Sequence, residues 1–562
     1  MHFIFLLLFL FKPLFSQTLI SENRKIEQFI HIWGLVKYQH PDVSKGVFNF
    51  NEEFVKELNN IENVKTQEEL NMEFVSWINF FTSSKTKFYT DEGIFNSNNI
   101  FNKNVDFKWI ETSKFSIELV ELLNKIKNNT TIGDYYASIN SLNNFINYKN
   151  EKGIDNFDSS KISHRLLFLS SFWNVMNFWN VNLYLTDTPW SEVLIEMIPD
   201  FIEKDNIKFE YAKDKLFSKL NDSHANYESS YLINKVLTKF PPFVGKIIND
   251  SLVVTQLNNI DLSNKDNINL GDVIYSVEGK TLKQYYTDKF SNVVSASTNN
   301  WLKRRIENYF ILASDKDSVQ VEIRKKNGII VNKYIKLYKL NSYPFQIESL
   351  YKLRNENWKE ITDNIGYINL NSISKSELKK AFLTFENTKG IIIDLRNYPK
   401  EITPNDIANF IYPEKKIFLK LLRPIFPSYG EYDAKVPLGF INNPFEVGSV
   451  NKDYYKGKIV LLVDRKTGSN AEYIGMAIQQ APNCITIGEP TFGAVLNRNT
   501  FTLSDKTTID YTGMGAFYPN GDNVQRKGLK IDYEIKESAI NFNSNIYNEK
   551  AIQFIQTNFS KN

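Results

Sequence analysis

Ile459-Val460-Leu461-Leu462-Val463-Asp464-Arg465-Lys466-Thr467-Gly468-Ser469-Asn470-Ala471-Glu472 runs from an apolar stretch, through a short polar turn, into a segment with helical character from Tyr473 to Gln480. A five-residue apolar run bounded by turn residues reads as a buried strand. A strand that ends in Gly-Ser and passes straight into a helix places the serine hydroxyl at a helix N-terminus, where backbone N–H groups can stabilise an oxyanion. Two readings of this stretch stay open. Ser469 is either a nucleophile, or a helix N-cap with Glu472 completing a capping box.

Three further blocks surround it. Gly366-Tyr367-Ile368-Asn369-Leu370 comes first, then Lys389-Gly390-Ile391-Ile392-Ile393-Asp394-Leu395-Arg396-Asn397-Tyr398-Pro399, then Ile487-Gly488-Glu489-Pro490-Thr491-Phe492-Gly493. In order and spacing these, with Ser469, resemble the catalytic core of the C-terminal processing (tail-specific) serine peptidases and their tricorn-core relatives. Gln525-Arg526-Lys527-Gly528-Leu529-Lys530-Ile531-Asp532 is similar to the segment that closes that core, with Ile531 where proline is usual. The resemblance favours the nucleophile reading of Ser469.

Composition sets outer bounds. At 562 residues the chain has room for several domains, and its formal net charge of +3, with acidic and basic residues interspersed, predicts no nucleic-acid partner. Residues 1–16 carry an apolar run, Phe3 to Phe11, too short to span a bilayer, followed by Lys12-Pro13-Leu14-Phe15-Ser16. This predicts a cleaved signal peptide and export to the periplasm or the cell exterior, with no integral membrane segment afterwards. The one cysteine, Cys484, lies in an apolar segment and reads as core packing; it rules out an internal disulfide and a cysteine-rich metal site. No metal or organic cofactor is implied.

Residues 17–230 read as helical. Ile26, Phe29, Ile30, Trp33 and Val36 recur at helical spacing, as do Leu166, Leu167, Leu169, Phe172, Trp173 and Met176, and the tryptophans 33, 77, 173, 179 and 190 read as core. This half resembles the N-terminal region of exported tail-specific peptidase relatives of the Bacteroidetes type. Asn-rich stretches near 94–105 and 145–160 read as loops. From 238 to 340, short apolar runs (251–255, 273–277, 319–323, 329–335) alternate with turn residues, which predicts a small β-rich domain. Leu270-Gly271-Asp272-Val273-Ile274 and Val277-Glu278-Gly279-Lys280 resemble the signature of a PDZ domain. That resemblance implies capture of extended peptides by strand addition, with Phe243, Val244 and Gly245 in the peptide-binding loop, or alternatively a PDZ-shaped spacer without a ligand.

The chain departs from the family at its base. Bacterial members carry a lysine after the Thr-Phe-Gly block; here that position is Ala494, and Lys466 would have to fold back beside its own strand. Of the five histidines, His224 in Leu220-Asn221-Asp222-Ser223-His224-Ala225 is similar to the Leu-x-Asp-x-His segment of the family, and Ser223-His224 matches the Ser-His pair of tricorn-type sites. His224 is therefore the candidate general base. Tricorn-type relatives add a glutamate a little under sixty residues past the serine; the corresponding stretch here offers Gln525, whose alternative role is a turn residue. Asp222 could instead anchor the histidine loop, although two residues away it suits a turn.

The family's two oxyanion glycines are replaced by Lys400 and Glu401, so a backbone N–H of Lys400 and that of Asn470 are the candidate oxyanion donors. Asp394 and Arg396 read as a structural pair. The expectation is a multidomain α+β protein: a helical N-terminal region (17–230), a PDZ-like domain (238–340), a crotonase-like α/β catalytic core (345–540) and a C-terminal helix (541–562). Its expected activity is hydrolysis of polypeptides through Ser469 and His224. The alternative is an inactive relative that binds peptides or proteins.

Overall fold

The computed structural model describes residues 19–557 except 90–99, 102–104, 141–144, 152, 228–229, 309, 350–356, 363, 425–431, 434–444 and 541–544. The expected signal peptide lies outside the described residues. The chain forms two compact units, one of residues 1–91 and 106–136, the other of 92–105 and 137–562. In the first, helices Glu22–Gln39, Phe50–Glu62, Gln67–Phe80 and Ile117–Lys127 pack around aromatic contacts: Phe29 stacks on Phe54 at 4.9 Å and meets Trp77 edge-on, and Trp33 stacks on Phe50. Helix Gln67–Phe80 starts at a capping box, with Thr66 accepting from the Glu69 N–H and Glu69 accepting from the Thr66 N–H.

Helices Ile162–Trp179, Trp190–Ile202 and Asn206–Ser218 belong to the second unit. The helical stretch expected over 17–230 is thus divided between the units. The cause is visible in the helix Ile162–Trp179, which is buried on every side and so packs as an interior element rather than as one wall of a bundle. Trp173 donates its indole N–H to the Trp190 carbonyl at 2.8 Å while Trp190 donates to the Trp173 carbonyl at 3.0 Å, which fixes the first two of these helices together and satisfies both of these buried indoles.

The β-rich segment carries antiparallel strands at Phe243–Ile248, Ser251–Leu257, Val273–Val277, Ser318–Arg324 and Ile330–Lys336, with helices Leu282–Phe290 and Asn299–Asn308. Its core joins Ile247, Val254, Ile274, Val277, Val321, Ile323 and Ile335 from the strands to Leu282, Phe290 and Ile306 from the helices. Alternation along Ser318–Arg324 follows the two-residue period of a half-buried strand.

A six-stranded sheet forms the centre of the second unit and takes its strands in chain order: Trp358–Thr362, Ile365–Asn369, Gly390–Asp394, Lys458–Val463, Cys484–Gly488 and Tyr533–Glu534. The first pair is antiparallel and the remaining pairs are parallel. Parallel strands covered on both faces need apolar residues at every position, which is why Ile391-Ile392-Ile393 and Ile459 to Val463 read as unbroken runs. Ile391, Ile393, Ile459, Leu461 and Val463 face one cluster, together with Leu378, Ile407 and Ile474 of helices Lys375–Thr384, Pro404–Ile411 and Asn470–Ile478. Ile392, Val460 and Leu462 face the other, beneath Tyr547, Ala551 and Ile555 of helix Ile546–Gln556. Gly390 is required at this second face, since a Cβ there would lie 2.6 Å from Ile555. Cys484 is buried in the first cluster.

Candidate active site

The turn after Lys458–Val463 is built from its own polar residues. The Asp464 N–H donates to Thr467 Oγ1 at 3.0 Å, the Thr467 hydroxyl donates to the Leu395 carbonyl at 3.0 Å, and the Lys466 N–H donates to Asp464 Oδ1 at 2.8 Å. Gly468 admits no side chain, because a Cβ would lie 2.4 Å from the Phe492 ring. Ser469 follows at φ +54°, ψ −119°, directly before helix Asn470–Ile478. A non-glycine residue in that region costs about 1–3 kcal/mol and persists only where its surroundings impose it.

The Ser469 hydroxyl makes no capping bond. Glu472, three residues on, does not complete a capping box either. Its buried carboxylate accepts from the Thr491 hydroxyl at 2.5 Å and from the N–H groups of Gly493 at 2.7 Å and Ala494 at 3.1 Å. Burial pushes this carboxyl up to about 7 against those hydrogen bonds. Glu472 thus clamps the 491–494 loop under the serine turn, and the Ala494 carbonyl accepts in return from the Ser469 N–H at 3.2 Å. The N-cap alternative for the serine is set aside by this geometry: the hydroxyl is left without a structural task.

His224 sits in a loop held from several directions. The Asp222 N–H donates to Ser295 Oγ at 2.9 Å, the Ser223 N–H to Ser297 Oγ at 2.8 Å, and the Ser223 hydroxyl to the Phe492 carbonyl at 2.7 Å. The strand Asn226–Tyr227 just beyond pairs with Thr508–Thr512, which itself forms a hairpin with Arg498–Thr502. This pairing brings Thr512 beside the imidazole, Oγ1 to Nδ1 at 3.0 Å. Asp222 fixes both: it accepts from the His224 N–H at 3.0 Å, from the Thr512 hydroxyl at 2.7 Å and from the Thr512 N–H at 2.6 Å. The imidazole is buried, and burial lowers it to about 4; Asp222 and Asp510 oppose that shift and Arg498 and Arg305 add to it.

Phe492 joins the two candidate groups. Its ring meets the His224 ring edge-on at 5.1 Å, touches the position a Gly468 side chain would fill, and packs at 4.3 Å against Trp301. Gly468, which precedes Ser469, and His224 thus meet one residue, and no hydrogen bond joins Ser469 to His224. Gln525 is buried, with Nε2 3.5 Å from Thr512 Oγ1 and Oε1 unpaired; it meets the threonine rather than the imidazole. Asn470 is half-buried at the start of its helix, and Lys400 is exposed with an ordinary negative φ, so its backbone needs no glycine. They follow neighbouring parallel strands, outside whose carboxyl ends ligands bind in open α/β sheets. Lys466 is exposed and lies 3.6 Å from Asp464.

The other described histidines have structural surroundings: His31 stacks on Trp109, His40 meets Thr82, and His164 accepts from the Asp158 N–H. Arg396 grips Asp394 through two nitrogens, at 2.9 and 2.6 Å, as a strand-end pair. Of the expected peptide-binding residues, Phe243 is buried while Val244 and Gly245 are half-buried, and the strand slips register between the latter two. Further along that strand the Ile247 N–H donates to Glu307 at 2.6 Å, and its carbonyl accepts from Arg465 at 3.0 Å. Arg465 also bonds Glu307 and Glu489. Lys246 reaches Glu489 and Glu537, and although burial pushes Glu489 up, Lys246 and Arg465 hold it down to about 2. A buried ionic cluster therefore ties this strand to the turn that carries Ser469.

Thr512 was not foreseeable from the sequence: Asp510-Tyr511-Thr512 has no local signal of function, and its partner His224 lies 288 residues away. The clamp made by Glu472 was hidden because the residue fits a capping box by spacing alone.

Residues 364–535 match the model of peptidase family S41. A carboxyl-terminal-processing protease of Synechocystis sp. is 27% identical over 190 residues, which cover 32% of this chain and 40% of that protein. A probable CtpA-like serine protease of Staphylococcus haemolyticus is 23% identical over 271 residues, covering 47% and 46% respectively. The chain therefore spans under half the length of these curated relatives. The solved structure of mature CPAF complexed with lactacystin shares the fold, with a TM-score of 0.52 at 11% identity over 70% of this chain and 97% of that one. The mixed α/β multidomain architecture is thus similar to that of S41 proteases, and the chain carries, over residues 364–535, a peptidase family S41 domain.

Proposed function

We propose that this chain is an exported serine endopeptidase that cleaves polypeptides, with Ser469 as nucleophile and His224 as general base. In this reading Ser469 Oγ attacks the scissile carbonyl while His224 Nε2 takes its proton and then delivers it to the leaving amine; water, activated by the same nitrogen, releases the acyl group. The N–H groups of Asn470 and Lys400 receive the oxyanion. The six-stranded sheet and its helices act as a crotonase-like catalytic core, the β-rich segment 238–340 as a PDZ-like module, and residues 1–16 as a signal peptide that directs the chain to the periplasm or beyond.

The observation that carries this reading is Ser469 itself, strained at a strand-to-helix turn with a hydroxyl that serves no cap. A fluorophosphonate probe should label the purified protein, and Ser469→Ala should abolish the label. Label that persists in the variant would place the nucleophile elsewhere. A second reading, an inactive relative that binds peptides, is favoured by the missing Ser469–His224 hydrogen bond and by the burial of the imidazole against Phe492. Absence of labelling and of turnover on unfolded protein substrates in a folded preparation would decide for it.

A further inference from the structure

We infer that Thr512, backed by Asp222, is the positioning residue that sets the tautomer of His224 and takes the place of the third carboxylate of a serine-peptidase triad. The inference rests on the assignment of His224 as base, and it is carried by the count of protons in one hydrogen-bonded cluster.

A threonine hydroxyl has one proton to give and two lone pairs, whereas a carboxylate only accepts. Thr512 Oγ1 lies 2.7 Å from Asp222 Oδ1, so the hydroxyl proton points to Asp222. Were it turned to the imidazole instead, two bare acceptor oxygens would face each other at that distance, inside a buried cluster. With its proton committed, Thr512 can only accept from its remaining neighbours, His224 Nδ1 at 3.0 Å and Gln525 Nε2 at 3.5 Å. His224 therefore carries its proton on Nδ1, and Nε2 keeps the lone pair that proton abstraction from a serine needs.

Asp222 cannot turn away from this task. Its Oδ2 accepts from the Thr512 N–H at 2.6 Å and its Oδ1 also accepts from the His224 N–H at 3.0 Å, so one carboxylate locks the backbone of both residues it serves. When Nε2 gains a proton, the positive imidazole has the Asp222 carboxylate one hydroxyl away. Ser223, which precedes the histidine, is no substitute: its hydroxyl donates to the Phe492 carbonyl and accepts from the Ser297 N–H. Gln525 supports the threonine from the side and carries no charge.

The test uses the full chain with its histidines labelled with 15N, the His224 signals being assigned by their loss in His224→Ala. At neutral pH the expected spectrum has a protonated Nδ1 and a bare Nε2; the opposite tautomer overturns the inference whether or not the enzyme turns over. Thr512→Val, similar in shape but without the hydroxyl, should lose the tautomer preference and lower kcat by about 100-fold with KM little changed, while Thr512→Ser should restore both. Wild-type turnover in Thr512→Val with an unchanged 15N signature refutes the relay. Failure of the wild type to label or turn over refutes the peptidase reading instead, and the 15N result then stands on its own.

Discussion

With His224 as the proposed base, lowering the pH should inhibit turnover far later than a histidine base ordinarily would. An imidazole of ordinary affinity, near 6.5, is only about 3% neutral at pH 5, whereas His224, lowered by burial to about 4, remains about 90% neutral there. Between pH 7.5 and 5 the expected loss in kcat/KM from His224 is therefore slight, where an exposed histidine would lose about 30-fold; below pH 4 the rate should fall about tenfold per unit. The groups that set the shift are Asp222 and Asp510, which oppose it, and Arg498 and Arg305, which add to it, all secondary to burial against Phe492 and Thr512. Glu472, pushed up to about 7 beneath the serine turn, would titrate in the same experiment, so Glu472→Gln removes its limb and leaves that of His224. Folding must be followed alongside. The unfolded chain binds a proton at His224 between about 6.5 and 4 that the folded chain refuses, so this group's share of stability is complete above 6.5 and falls by ~3 kcal/mol as the pH drops to 4. Initial rates on a short quenched peptide from pH 4 to 8.5, with circular dichroism at each point, measure both. A midpoint between 6 and 7 in the wild type and in Glu472→Gln alike would refute the buried base.

Ser469→Gly should raise stability by about 1 kcal/mol in denaturant titrations while abolishing activity, because glycine accepts φ +54°, ψ −119° without strain; a loss of stability would argue against a strained nucleophile turn. Gln525→Glu should place a second carboxylate beside Thr512 and move the acid limb of the rate profile to higher pH, since a negative neighbour favours the imidazolium; an unmoved limb would put Gln525 outside the electrostatics of the base. Glu307→Ala should cost about 3–5 kcal/mol, as it leaves Arg465 one carboxylate short and the Ile247 N–H unpaired, and a change under 1 kcal/mol in chemical denaturation would mean the cluster is not buried in solution. Excision of residues 238–340 should impair cleavage of short peptides as severely as that of unfolded proteins, because Ser295 and Ser297 hold the His224 loop; selective loss on long substrates would assign the segment to capture instead.

What could be read from the sequence was local. The strand Lys458–Val463, the serine turn and the helix after it lie within some twenty residues, and apolar runs at 273–277 and 319–323 mark strands that form where the runs stand. Ser223-His224 was recognisable as a pair, although the hydroxyl beside the histidine turned out to serve the Phe492 carbonyl. Long-range polar pairing left no such trace. Lys246 and Glu489 are 243 residues apart, Arg465 and Glu307 are 158 apart, and nothing in either neighbourhood names the other. The division of the helical half was also hidden, since apolar spacing marks the helix Ile162–Trp179 but does not say that all its sides are buried. Glu472 shows the opposite hazard: a local rule was satisfied by spacing, and a buried clamp took the residue instead.

The loop that carries His224 is held upstream by the Asp187 N–H on Asn221, but the ties that fix Asp222, Ser223 and the imidazole, from Ser295, Ser297, the Phe492 carbonyl and Thr512, all lie downstream in the chain. A chain made from its amino end owns the histidine long before it owns either the serine or the threonine that turns the ring. On the proposed reading, the groups that cut peptide bonds are thus present only in pieces while the chain is being made and is itself unfolded. On that reading activity would await arrival of the Arg498–Thr512 hairpin, and self-digestion of the nascent chain would be deferred by the order in which its residues appear.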